Sequence, residues 1–133
     1  MPYLRPEDAN NKLIETIEEI KARNPSMPWR ERVLATGRFR MLVHCWPSGS
    51  GHPTHYHPRA DEIWYIYEGK LKVTFNEGPT LVAESGSILF AKRGTTHDMI
   101  SVGEDPLVML VFVAPNEPDD EVSLSSQKVE FPE

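Results

Sequence analysis

The sequence predicts an all-β domain, a sandwich or barrel closed on itself, with one helix before it. From Arg32 to Val113 the chain consists of short β-type runs separated by glycine and proline. No second helical pattern interrupts these runs, and many short strands of this kind are typical of a closed β-architecture. At 133 residues with 39% hydrophobic content, the chain fits one domain with a buried core.

The helix is expected over residues 7–23. Its apolar face consists of four residues at helical spacing, namely Leu13, Ile14, Ile17 and Ile20. Asn24-Pro25 ends it, because proline disfavours helical geometry in the residue before it. We interpret residues 1–31 as a helical extension that covers a sheet edge or a second subunit.

Nine strands are predicted inside a β-barrel unit of residues 32–114. They occupy residues 32–36, 38–46, 54–58, 62–68, 70–76, 80–83, 87–91, 96–102 and 107–113. Two hairpin-type turns, Glu68-Gly69-Lys70 and Asn76-Glu77-Gly78-Pro79, separate strands in this region. Residues 115–133 contain three prolines and many polar residues. We expect them to form a loose acidic tail or an arm over a neighbouring subunit.

Charge and composition exclude several classes of partner. The net charge is −6, and residues 114–133 account for −5 of it, which argues against binding of nucleic acid. No apolar run approaches the roughly 20 residues of a membrane span, and the N-terminus lacks the apolar core of a signal peptide. The single cysteine, Cys45, fits a reducing compartment. We expect a cytoplasmic protein with a small-molecule substrate and no membrane partner, and we expect a homodimer.

Four residues form a candidate metal site: His55, His57, Glu62 and His97. Residues two apart on a strand point to one face, so His55 and His57 can share an ion while Tyr56 points away. Residues 58–61 form a tight connection that brings Glu62 back past the pair, and residues 93–97 form a turn that delivers His97. Three imidazoles and one carboxylate suit one divalent transition metal, with iron, manganese, nickel and zinc as the candidates.

Two stretches of the chain resemble the paired motifs of the cupin superfamily. Residues 49–69, GSGHPTHYHPRADEIWYIYEG, match G-x5-H-x-H-x3,4-E-x6-G at every fixed position. Residues 86–97, GSILFAKRGTTH, resemble the start of G-x5-P-x-G-x2-H-x3-N. The second stretch departs from its motif twice, with Lys92 in place of proline and Ser101 in place of asparagine.

The resemblance covers about residues 33–113 and implies a small jelly-roll barrel. It also implies that His55, His57, Glu62 and His97 hold one divalent metal inside the mouth of the barrel. Lys92 leaves this ligand set intact but leaves the shape of its turn open. An octahedral ion with four protein ligands has two further positions. Those positions could take a bidentate hydroxy-carbonyl or enediolate substrate, or a substrate together with dioxygen.

The sequence does not determine which residues are catalytic, and several are candidates. Trp64 shares the face of Glu62 and is expected near the metal, as core or as a substrate contact. Ser101 shares the inward face of His97 and could contact substrate, while His52 in the mouth loop could be a mobile acid or base. Tyr56, Asp61 and Lys92 are further candidates for the general base, with Arg59 as an anion clamp, and no spacing singles out any of them. His44 lies on a strand whose inward face is not determined by the sequence.

We therefore expect a metal-dependent enzyme that acts on a small polar or aromatic molecule. An oxygen-dependent reaction of the dioxygenase type is the first alternative, and redox-neutral isomerase, lyase or cyclase chemistry is the second. A cupin that binds a small ligand without turnover is the third, although such a module has no need of a metal with open positions. A structural zinc site is disfavoured, because such sites are usually cysteine-rich and closed.

Overall fold

Two five-stranded antiparallel sheets and one short helix make up the fold. The computed structural model describes residues 14–76, 78–117 and 119–124. The elements in chain order are α1 (Ile17–Ala22), β1 (Trp29–Ala35), β2 (Arg40–Trp46), β3 (Gly51–Tyr56), β4 (Asp61–Glu68), β5 (Lys70–Phe75), β6 (Thr80–Glu84), β7 (Ile88–Ala91), β8 (His97–Val102), β9 (Leu107–Ala114) and β10 (Val122–Ser123).

The first sheet has the strand order β1-β2-β9-β4-β7, and the second has the order β10-β3-β8-β5-β6. Strands that are distant in sequence are therefore neighbours in each sheet, as in a jelly roll. All nine predicted strands are present, with their ends shifted by at most three residues. The fold class predicted from the sequence is confirmed.

The core lies between the two sheets because the strands alternate in polarity. On β4, Glu62, Trp64 and Ile66 are buried, whereas Ile63 on the opposite face is 41% exposed. The main cluster adds inward-facing residues from both sheets, including Leu42, Leu71, Val73, Leu107, Met109 and Val111. Some members of this cluster, including Leu42, Met109 and Val111, also line the site described below.

The helix is shorter than predicted. Residues 14–16 are not helical, and α1 begins at Ile17, where Thr16 caps it by accepting the Glu19 N–H at 3.1 Å. Ile14 is 88% exposed, so the predicted apolar face is wrong at this residue. The predicted residues 7–13 lie outside the described part of the chain. Thr16-x-x-Glu19 is a capping box, which gave a sequence signal for the true start.

The helix packs on the outer face of the first sheet of its own barrel. Ile17 and Ile20 contact a second cluster of side chains, namely Trp29, Val43, Cys45 and Val108. No helix in the described ranges is long and apolar enough to cross a membrane.

The C-terminal segment, residues 115–117 and 119–124, folds against the barrel, whereas the sequence predicted a loose tail or an arm over a neighbouring subunit. Asn116 and Asp120 are buried, and β10 pairs with β3. Asn116 Nδ2 donates to the Thr36 carbonyl at 2.8 Å, and Leu124 N–H donates to the Thr54 carbonyl at 2.9 Å. Residues 118 and 125–133 lie outside the described residues.

Two motif glycines, Gly69 and Gly86, differ in what a larger side chain would meet, so their substitution separates the cost of backbone strain from the cost of a steric clash. Both have positive φ, +81° and +91°, but a Cβ on Gly69 would lie 2.5 Å from the Pro106 carbonyl oxygen, whereas one on Gly86 would meet nothing within 4 Å. Gly86→Ala should therefore cost only the left-handed backbone penalty, about 1–2 kcal/mol of the free energy of unfolding. Gly69→Ala should cost at least about 3 kcal/mol, because backbone atoms must move as well.

Urea denaturation of both variants measures this difference. Equal losses of stability in Gly69→Ala and Gly86→Ala would contradict it.

Candidate metal site

The four predicted ligands meet although they come from both sheets. His55 lies on β3 opposite His97 of β8, His57 follows β3, and Glu62 lies on β4 of the first sheet. One ligand atom from each of the four residues lies within 4.8 Å of all the others. Glu62 Oε1 is 2.7 Å from His57 Nε2 and 3.8 Å from His97 Nε2. An ion with bonds of about 2.0–2.2 Å separates its ligand atoms by roughly 3–4.4 Å, so this arrangement fits one metal ion.

Backbone carbonyls fix the tautomers of all three imidazoles. Nδ1 of His55 lies 2.7 Å from the Pro53 oxygen, Nδ1 of His57 lies 3.1 Å from the Asp120 oxygen, and Nδ1 of His97 lies 3.0 Å from the Thr95 oxygen. A carbonyl oxygen only accepts, so each Nδ1 carries the proton and donates. In the neutral ring, Nε2 then keeps its lone pair, which is the form that binds a metal.

Burial keeps two of the histidines neutral. It lowers the pKa of His55 to about 3, together with the nearby rings of His52 and His97. Burial also lowers the pKa of His97, although Glu62 opposes the shift. Both rings can therefore bind a cation at neutral pH without first losing a proton.

Glu62 and His57 shift each other's pKa in opposite directions. Burial alone would raise the pKa of Glu62, but His57, His97 and Trp64 outweigh it and lower that pKa to about 2. Burial likewise opposes charge on His57, yet Glu62 raises its pKa. Among the described residues, the buried atoms Glu62 Oε1 and His97 Nε2 have no well-formed hydrogen bond, although Oε1 lies 2.7 Å from His57 Nε2. A cation at this point would satisfy both atoms.

The turn of the second motif forms a normal β-turn with Lys92 in the place of proline. Thr95 N–H donates to the Lys92 carbonyl at 2.9 Å, and Gly94 N–H donates to the His57 carbonyl at 2.8 Å. Asp61 Oδ1 accepts the Arg93 N–H at 2.8 Å. The question left open by Lys92 is thus answered, and Asp61 has a positioning role that the sequence did not show.

Three of the four ligands, His55, His57 and Glu62, line a cavity of about 460 Å³ between the sheets. Its wall consists of inward-facing side chains from both sheets and one residue of the C-terminal segment: Arg30, Arg40, Leu42, His44, Trp46, His52, His55, His57, Glu62, Trp64, Met99, Met109, Val111, Val113 and Glu121. The inward face of β2 therefore carries His44, while Val43 and Cys45 pack towards the helix. Burial, with Arg30 nearby, lowers the pKa of His44 to about 3, so its ring is neutral.

The sequence-predicted catalytic candidates separate into two groups. Trp64 and His52 line the cavity, and His52 does so from β3, not from a loop as expected. Trp64 Nε1 donates to Glu62 Oε2 at 3.1 Å, which leaves Oε1 towards the histidines. Tyr56 and Ser101 are not among the described side chains that line the cavity. Ser101 faces inward but is fully buried beside Leu71 in the core.

Three charged cavity residues, Arg30, Arg40 and Glu121, were missed by sequence reasoning, and the orientation of His44 was left open. Arg40 and His44 lie four residues apart on β2 and share a face, and Arg30 pairs with His44, which was a usable signal once the inward face was known. Glu121 gave no such signal, because no periodic pattern of apolar residues in the sequence indicates the course of the C-terminal segment. His52 Nε2 lies 2.9 Å from Glu121 Oε1, and this contact lowers the pKa of Glu121.

Comparison with known proteins decides the family. A family model described as a cupin domain matches residues 41–113, more than half of the chain. The chain is a cupin. The resemblance seen in the sequence is thereby confirmed, and the family match contains every candidate metal ligand.

Individual relatives of this cupin are distant. Germin-like protein 1-4 of rice (Oryza sativa subsp. japonica) is 37% identical over 73 residues, which are 48% of this chain and 31% of that protein. The tetracenomycin polyketide synthase protein TcmJ of Streptomyces glaucescens is 32% identical over 88 residues, covering 66% of this chain and 58% of TcmJ. The chain thus spans about a third of the rice protein and little more than half of TcmJ.

Solved structures share the fold. An uncharacterised double-stranded β-helix protein from Klebsiella pneumoniae superposes with a TM-score of 0.70 over 84% of this chain and 96% of its own, at 23% identity. At this identity the likeness concerns the fold alone.

Trp64→Phe should weaken metal binding without unfolding the barrel. Phenylalanine keeps the packing on Phe75, whose ring stacks on Trp64 at 5.9 Å, but it removes the donor to Glu62. Loss of such a supporting hydrogen bond typically lowers metal affinity 10–100-fold. Tyr65→Phe, on the outward face of β4, should leave the affinity unchanged. Competition with a chelator of known affinity measures both, and equal affinities of the two variants would contradict the role of Trp64.

Proposed function

We propose that this cupin is an enzyme that acts on a small molecule bound to a divalent metal ion in the barrel cavity. One observation carries the proposal: the ligand atoms of three imidazoles and one carboxylate converge, and three of these residues, His55, His57 and Glu62, line a cavity of about 460 Å³. A binding site of this volume admits a small organic molecule. His55, His57, Glu62 and His97 would hold the ion.

The ion would supply either oxygen activation, if iron(II), or polarisation of a bound carbonyl, if manganese, nickel or zinc. The chain contributes the rest of the site. Three neutral imidazoles and one carboxylate leave a divalent ion with a net charge near +1, which favours oxygen ligands with partial or full negative charge. Trp64, Met99 and Met109 line the cavity and limit the access of water to a bound molecule.

An oxygen-dependent reaction of the dioxygenase type, with cleavage of a ring or a carbon–carbon bond, is our first candidate. The mixed nitrogen and oxygen ligand set supports it, because iron(II) binds well to such sets. The apolar part of the wall, formed by Leu42, Val111 and Val113, also supports it, since dioxygen is itself apolar.

A specific contact favours redox-neutral isomerase, lyase or cyclase chemistry as the second candidate. His52 and Glu121 pair at 2.9 Å at the cavity wall, and the His52 ring lies 3.7 Å from that of His55. Such a pair could take a proton from a bound substrate and return it at another atom. Isomerisation and elimination require such a proton-carrying group.

Glu62→Gln should lose most of the bound metal. The amide keeps the size of the side chain but removes the only negative charge in the ligand set. His44→Gln is the matched control, because His44 lines the same cavity without belonging to the four-residue group. Elemental analysis of both proteins, purified without added metal, measures the effect. Equal metal content in the two variants would refute the assignment of Glu62 and of the site.

The reaction type can be tested with iron(II)-loaded protein and a panel of catechols, diketones and hydroxy acids. The first candidate predicts uptake of one dioxygen per substrate consumed, measured with an oxygen electrode. Turnover under argon would instead identify redox-neutral chemistry. His52→Gln and Glu121→Gln should then each lower kcat at least tenfold at unchanged metal content. Tight binding of panel compounds without turnover would favour a ligand-binding cupin.

A further inference from the structure

We infer that the cavity selects a small organic acid, whose acid group binds Arg40 while another part of the molecule reaches the metal. This inference rests on the proposed metal-dependent function and names the substrate class for the same site. It depends on the position of Arg40, on its hydrogen bonds and on the charge of the cavity.

Arg40 and Glu62 belong to one row across the inner face of the first sheet. Arg40 of β2 pairs with Val113 of β9, and Val113 pairs with Glu62 of β4. Two steps of strand spacing place the Cα atoms of Arg40 and Glu62 roughly 10 Å apart. In the next inward-facing row, Leu42 pairs with Val111 and Val111 with Trp64, all of them cavity residues. The surface between the guanidinium and the metal ligands is therefore apolar.

The Arg40 guanidinium is held in place by neutral acceptors. Its Nη1 lies 3.0 Å from Asn116 Oδ1 and 3.5 Å from the Glu117 carbonyl oxygen. Asn116 is itself buried and anchored to the Thr36 carbonyl. Among the described residues, no carboxylate lies within ion-pair distance of Arg40. Its planar fork has five donors, so Nε and Nη2 can still form the paired hydrogen bonds that suit a carboxylate.

The charge of the loaded cavity also favours an anion. The charged residues of the cavity wall are two arginines, Arg30 and Arg40, and two acids, Glu62 and Glu121. These four charges cancel. A divalent ion would make the site positive, and a ligand with negative charge would compensate it. In a partly buried cavity this attraction is stronger than in water.

A second role for Arg40 must be separated from this one. Its bonds to Asn116 and Glu117 could serve only to hold the C-terminal segment on the barrel. A purely structural role predicts equal effects of substitution on charged and uncharged ligands. Recognition of an acid group predicts an effect on acids alone.

A pair of hydroxamates distinguishes these roles. Both bind metal ions through two oxygen atoms, but acetohydroxamate has no carboxylate, whereas succinate monohydroxamate has one at its far end. Cobalt(II)-loaded protein should bind the succinate compound about 10–100-fold more tightly, the range expected for a charge-assisted hydrogen-bonded pair. Titration followed by the cobalt visible spectrum gives both affinities. Glutarate monohydroxamate, one methylene longer, tests the distance.

Arg40→Met should abolish the preference while leaving acetohydroxamate affinity and cobalt content unchanged. Arg40→Lys keeps the charge without the fork and should retain part of the preference. Arg59→Met is the matched control, because Arg59 also lies near Glu117, at 3.4 Å, but its side chain is 65% exposed and outside the cavity. The Arg59→Met protein should prefer the succinate compound over acetohydroxamate as strongly as the unmodified protein does.

Equal affinities for the two short hydroxamates in the unmodified protein would overturn the inference and leave the metal proposal standing. An equal loss of both affinities in Arg40→Met would overturn it too, in favour of the structural role. Failure of the unmodified protein to bind cobalt would overturn the proposed function, and this inference with it. The comparison of hydroxamates in the unmodified protein holds even where Arg40→Met does not fold.

Discussion

The hydrogen bonds from three histidine Nδ1 atoms to backbone carbonyls determine what the rest of the site can be. An imidazole that donates from Nδ1 has its lone pair on Nε2, and the carbonyls of Pro53, Thr95 and Asp120 impose this state on His55, His97 and His57. Two of these carbonyls lie two residues before the histidine they orient, so the local course of the chain sets the ring. The third comes from the C-terminal segment. The histidines are consequently preorganised as ligands, and metal binding does not require a change of tautomer, which would reduce its free energy.

The barrel adds the fourth ligand from the opposite sheet. Glu62 is buried on β4 and oriented by Trp64, whose ring packs against the rings of both Phe75 and His97. A buried carboxylate carries a large desolvation cost, which the adjacent His57 offsets. The atoms that form this contact, Glu62 Oε1 and His57 Nε2, are also those that a cation would bind. Formation of the site therefore depends on packing of the core, because Trp64, which orients Glu62, is also one of the largest side chains in the core.

The fold and the ligand set could be predicted because both depend on short-range patterns. Period-two alternation located the strands, and the spacings from Gly49 to Gly69 and from Gly86 to His97 fixed the ligands. Arg40 was missed because its importance depends on the pairing of β2 with β9, two segments nearly seventy residues apart. His52 was expected in a loop, since the Gly51 and Pro53 that flank it usually disfavour strand interiors. The interval between His52 and His55 contains a register irregularity, which accommodates this composition within β3.

The C-terminal segment joins the two halves of the candidate site. Asp120 accepts the backbone N–H groups of Arg59 and Ala60 through its carboxylate, and its own carbonyl accepts the Nδ1–H of His57. Four residues earlier, Asn116 fixes Arg40, and one residue later, Glu121 meets His52. All of these contacts come from beyond residue 113, where the match to the cupin family ends. The metal ligands therefore belong to the part of the chain shared with other cupins. Arg40 and His52, which we propose to contact the substrate, and the metal ligand His57 are held by a segment outside it, so a change in this segment would affect specificity and the metal site together.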